Sequence, residues 1–147
     1  MKCESSIGEM NQKNVYGDAL ELCSLDPCTG WFRDGYARTD SNDHGTHVAC
    51  ATMTQEVQKG HKKYRKIISI FFQFLDYTKS QGNDLSTPHL PGFPGLKPGD
   101  RWVICILRWH EAQKAGYAPL LKLKATNQKA LEYVDLELLE EFDDNKF

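Results

Sequence analysis

Hydrophobic and polar positions divide the chain into short apolar runs separated by turn-forming clusters. Val48 to Met53 is apolar and β-compatible, and Thr54 after it is a natural helix N-cap. Trp102 to Leu107 is unbroken and short, the pattern of a strand buried on both faces. Leu121, Leu123 and Ala125 alternate with Lys122 and Lys124, which predicts a half-exposed strand over 120–126. Helices are predicted from Phe74 to Ser80, stopped by Gly82, and from Trp109 to Ala115, stopped by Gly116. Asn127 is placed to cap a short helix through Tyr133, and Asp135 to cap another from Leu136 to about Phe142. A short extended segment around Val15 to Leu22 turns at Gly17-Asp18, and Pro27 takes the usual proline position of a turn before Gly30.

Between the helices, Gly82 to Trp109 carries the densest set of turn signals. Asn83 and Asp84 bond their own backbone in turns, and Pro88 holds Thr87 extended. Pro91-Gly92, Pro94-Gly95 and Pro98-Gly99 each set a fixed-φ residue before a permissive one. Proline is already restricted in the unfolded chain, so ordering this loop costs little entropy. It reads as a rigid loop delivered onto a central strand, with Phe93 and Leu96 as inward anchors.

The same segments carry a family resemblance. GNDLSTP, GFPGLKPGDRW, NVYGDALELCSLDP and TGWFRDG, with His47, Cys50-Ala51, Met53-Thr54 and Lys129 to Glu132, resemble the uncharacterised, mainly bacterial proteins catalogued as domain of unknown function 2237. The resemblance runs from Asn14 to about Asp135. It implies an α+β fold, a single small domain built as a two-layer sheet-and-helix sandwich, and it implies no reaction. Measured against that family pattern, Cys23, His47, Cys50 and Cys105 match. Tyr36, Ala37 and Val103 stand where the family has cysteines.

The composition narrows partners. At 147 residues with a net charge of −2, the chain fits one domain and has no global drive toward nucleic acid or an anionic membrane. No stretch of 18 apolar residues occurs, and the first residues lack the apolar core of an export signal. Five cysteines without framework spacing then predict reduced thiols in a cytoplasmic protein, with Cys50 and Cys105 as buried strand residues. Residues 1–13 read as a polar lead-in, 14–142 as the domain, and 143–147 as a solvated acidic tail.

One segment does not fit its flanks. Val57 to Gln73 interrupts the helix that Gln55 and Phe74 would share; its first half is basic and its end apolar. It reads as a lineage-specific insertion or as a translated intron. Every valine codon begins GT, phenylalanine codons are pure pyrimidine, and a glutamine codon can be CAG. A basic amphipathic surface helix is the functional alternative, weakened by Gly60.

Candidate chemistry lies in loops and at strand ends. Arg33, Asp34, His47, Asn83, Asp84, Ser86, Asp100 and Arg101 form the predicted ligand-binding set, with Thr87 beside it. Arginine offers a planar fork for an anionic group, and histidine exchanges a proton near neutral pH. His47 and Asp34 are the catalytic candidates. Cys23, His47, Cys50 and Cys105 are soft ligands of the kind zinc takes, although buried structural cysteine is the simpler reading. Asp43 to Ala49 resembles the histidine motif of subtilisin-like proteases, but no matching serine block accompanies it. Trp31, Trp102 and Trp109 are assigned to the core. The expected function is binding, or an unassigned transformation, of a small and possibly anionic molecule by segments 31–35, 44–50 and 82–101. No cofactor is specified. The alternative is a protein-interaction module using the loop at 88–100.

Overall fold

The computed structural model describes residue 3 and residues 11–52, 77–85, 95–96 and 99–146. Its centre is a three-stranded antiparallel sheet in the order β2–β1–β3. The strands are β1 (His47–Thr52), β2 (Arg101–Cys105) and β3 (Leu120–Leu121). Among the described residues, besides a helical stretch at 77–80, stand the helices α1 (Ile106–Lys114) and α2 (Leu136–Glu140), with 3-10 turns at Leu123–Ala125, Gln128–Glu132 and Asp144–Lys146. The fold is a small α+β domain.

Sheet alternation sorts the side chains into two buried groups. Ala49, Ala51, Trp102 and Ile104 join the main core with Ile106, Trp109, Leu121 and Leu139. Cys50 and Val103, on the other face, meet Cys23, Ala37 and Ala125. Leu96 is buried in the main core, tied by its N–H to the Leu85 carbonyl at 2.9 Å. Phe93, most of the 88–100 loop, the Thr54 cap and Val57 to Gln73 lie outside the described residues.

Two strands end earlier than their patterns predict. β2 stops at Cys105, where the Ile106 N–H closes the ladder on the Thr46 carbonyl at 3.1 Å. From there Ile106, Trp109 and Ala112 are buried at helical spacing, and Leu107 turns outward at 51% exposure. After β3 the chain drops into a 3-10 turn, yet it still satisfies the edge of β1. Lys122 N–H reaches the Cys50 carbonyl, the Thr126 hydroxyl accepts the Cys50 N–H, and Asn127 N–H reaches the Val48 carbonyl. On the outer edge of β2, the buried Thr29 hydroxyl accepts the Val103 N–H at 2.8 Å.

The predicted stops form as expected. Residues 77–80 are helical. Asn83 N–H returns to the Thr78 carbonyl and Gly82 N–H to Lys79, with Gly82 at φ +88°. Gly116 ends α1 in the same way, at φ +85° with Tyr117 N–H on Ala112. Asn127 caps its turn by accepting the Lys129 N–H, whereas Asp135 stands at the N-cap of α2 with no side-chain cap bond. Pro27 occupies the third position of the turn that the Leu25–Cys28 bridge closes, and its peptide bond is cis.

Three expectations are corrected. Cys50 is buried but bonded to Cys23, and Cys3 is bonded to Cys28. The fold brings these pairs to Cα separations of 5.8 and 4.7 Å, within disulfide reach, although 27 and 25 residues separate them in sequence. Cys105 is free and partly exposed, because it stands where the strand gives way to the helix. The acidic end is not a loose tail: the Asp144 side chain, 8% exposed, accepts the Thr52 hydroxyl at 2.7 Å and pairs with Arg101.

Candidate functional site

The segment before β1 folds around an aspartate. Asp43 is enclosed, with its side chain fully buried, and each oxygen is used. Oδ1 lies 2.6 Å from His47 Nδ1; Oδ2 accepts the His47 backbone N–H at 2.9 Å and the Thr39 hydroxyl at 2.9 Å. Burial opposes the charged carboxylate. The bonds from the His47 ring, the His47 N–H and Thr39 outweigh it and hold Asp43 below its ordinary pKa. An ionised Asp43 can only accept, so in neutral His47 the proton sits on Nδ1 and the Nε2 lone pair is free to act as a base.

Two neighbours fix the ring. A Cβ on Gly45 would come within 2.4 Å of His47 Cε1, so the missing side chain at 45 is space the imidazole occupies. Trp31 stacks on the imidazole, its ring centroid 6.0 Å away and the planes 8° from parallel. Trp31 is 43% exposed, so it is a surface platform and not the core residue its pattern predicts. Trp102 and Trp109 are core. Thr46 and Arg33 have positive φ, 49° and 54°, and are the non-glycine residues that do so among the described residues. Both stand beside the Trp31–His47 pair in sequence. Such conformations cost about 1–3 kcal/mol each and persist where the surrounding structure imposes them.

The predicted set divides. Segments 31–35 and 43–47 meet through the stack. Arg33 donates to the Gly30 carbonyl and lies 5.1 Å over the Trp102 ring; burial lowers its pKa, and it keeps its charge at neutral pH. Asp34 is committed to its own loop, accepting the Tyr36 N–H at 3.0 Å and pairing with Arg38 at 2.7 Å. That geometry makes it a positioning residue for the loop. Arg101 lies at the opposite end of the β1–β2 pair, opposite Thr52, whereas His47 is opposite Cys105. At 3.3 Å per residue the two ends are roughly 15 Å apart. Asn83 closes the 77–80 helix, Asp84 pairs with Lys79 at 3.7 Å, Asp100 precedes β2, and Ser86 and Thr87 lie outside the described residues.

Of the soft metal candidates, Cys23 and Cys50 are bonded to each other and offer no thiolate. No group of three or more His, Cys, Asp or Glu side chains able to hold a metal occurs among the described residues. Ala37 and Val103, where the family resemblance has cysteines, lie in the same buried cluster as Cys23 and Cys50. An open polar pocket of about 450 Å³, lined by Gln12, Thr39, Asn127, Lys129 and Glu132, lies apart from the Trp31–His47 pair and reaches Asp43 through Thr39. The residue that sequence reasoning missed is Asp43. Its signal was an aspartate four positions ahead of a histidine that opens a strand, visible only inside the protease-like motif.

Fold and site together define a small α+β domain with an aspartate-oriented histidine at the mouth of its central strand pair. No helix among the described residues is long and apolar enough to cross a membrane. The chain belongs to the family described as "Uncharacterized protein conserved in bacteria (DUF2237)", whose model matches residues 13–65 and 67–143. No curated protein matches it.

Proposed function

We propose that this domain binds a small molecule against Trp31 and His47 and that His47, oriented by Asp43, exchanges a proton with it. The observation that carries the reading is the 2.6 Å contact between a fully buried carboxylate and a histidine whose side chain is 40% exposed. A structural ion pair has no need of an open imidazole edge, an aromatic stacking partner and a glycine that clears the ring. Arg33 is the nearest predicted cation in sequence to the stack and supports an anionic group on the ligand. The cytoplasmic placement expected from the sequence is a second part of this proposal; the two cysteine pairs pull against it, because disulfides persist in oxidising compartments.

The test is a library of small anions, neutral metabolite-like compounds and divalent metals, screened by thermal shift. Hits are followed by the NMR signals of the Trp31 indole and the His47 ring. A binder should move both signals together, and His47→Gln should weaken it. Hits that move only signals around Asn127 and Lys129 would place the binding site in the pocket beside Thr39 and overturn the reading.

A further inference from the structure

Cys105 is the cross-strand partner of His47. The Ile106 N–H bonds the Thr46 carbonyl beside this pair, and the ladder bulges between His47 and Ala49. Cross-strand partners start from the same face of the sheet, so the thiol and the imidazole are neighbours at the bulge. Both residues are partly exposed. Cys105 also stands at the N-cap of the nine-residue helix α1, makes no capping bond, and is the free cysteine. Unpaired first-turn N–H groups at a helix start favour negative charge beside them. Register thus sets a thiol opposite an imidazole whose Nδ1 is held by a buried carboxylate, the residue types of nucleophile, base and orienting acid.

We infer that Cys105 is a catalytic nucleophile served by His47 and Asp43, acting on activated acyl compounds, esters or thioesters. The inference rests on the reading of His47 as a proton acceptor. His47 Nε2 takes the thiol proton as sulfur attacks the acyl carbon. The C–S bond forms, the bond to the leaving oxygen or sulfur breaks, and the leaving group departs with the proton from His47. Water then adds to the thioester, giving its proton to His47, which returns it to sulfur as the acid is released. No oxidant, reductant or metal enters this sequence of steps. Trp31 forms an apolar wall beside the imidazole where an acyl chain could lie.

The experiment uses the full chain, p-nitrophenyl acetate as acyl donor and iodoacetamide as alkylating probe, both at pH 7. Tryptic peptide Trp102–Arg108 contains Cys105 as its sole cysteine, so mass spectrometry reads that site alone. The expected result is a stoichiometric burst of nitrophenolate with acetylation on this peptide. Cys105→Ser should abolish the burst. His47→Gln should slow both acylation and alkylation by at least about a hundredfold, the lower end of general-base effects. Gly45→Ala, which displaces the ring without removing it, should slow both in the same direction, and it serves as the second variant if His47→Gln is unstable. No burst in the parent chain, acetylation elsewhere, or a Cys105 reaction rate indifferent to both variants would overturn the inference. If ligands still move the Trp31 and His47 signals while Cys105 is indifferent, the thiol role falls alone. If neither responds, the proposed function falls with it.

Discussion

At the scale of single residues, Asp43 organises the site more than the histidine it holds. A buried carboxylate is tolerated only when its lone pairs are used, and here His47 and Thr39 use them. Asp43→Asn keeps the shape but replaces one acceptor with a donor. At pH 7 it should cost about 1–3 kcal/mol, measured by urea unfolding. Because the folded-state pKa of Asp43 is depressed, this stabilisation is complete above the unfolded value of about 3.9 and is lost as pH falls through the lower folded value. The gap between parent and variant should therefore close below about pH 4. A gap that persists at acid pH would show that packing, not charge, sets the cost. Gly45→Ala should move the His47 ring signals while leaving the amide signals of β2 in place, since the clash it creates is with the ring.

At the scale of elements, much of the fold was legible because local chemistry decides it. Gly82 and Gly116 end their helices with the return bonds their positions require, and Asn127 caps its turn. Leu121, Leu123 and Ala125 are buried while Lys124 is exposed, as their alternation predicts, although only Leu120–Leu121 is strand. The remainder depends on partners that no window of sequence contains. β1 takes its second edge from Lys122, Thr126 and Asn127, and β2 takes part of its outer edge from a threonine 74 positions earlier. Thr29→Val, close in shape, leaves the buried Val103 N–H without its acceptor and should destabilise by about 1–3 kcal/mol. An effect within 0.5 kcal/mol, typical of surface changes, would mean the edge is satisfied otherwise. The site was half legible for the same reason. His47 and Cys105 each stand out in sequence, but their pairing is a fact of register. Arg101 looked equivalent to Arg33 until strand direction set it at the other end.

For the whole molecule, the cysteine pairing is open to direct count. Denatured without reductant, the protein should present one thiol to Ellman's reagent, and five after reduction. Five thiols before reduction would contradict both pairs. Val57 to Gln73 remains a prediction from sequence, since the family match runs through the segment on both sides of residue 66. Deleting it should leave the fold intact and raise solubility. A lower melting temperature in the deletion variant would show that the segment is part of the core.

The central claim is that Asp43 orients His47 so that Nε2 is the basic nitrogen. The long-range ¹H–¹⁵N spectrum of the imidazoles tests it most directly. The account predicts that neutral His47 is the Nδ1–H tautomer and that Asp43→Asn shifts the population toward Nε2–H, while the other histidines keep their patterns. An Nε2–H tautomer in the parent chain, or a His47 spectrum that Asp43→Asn leaves unchanged, would contradict it.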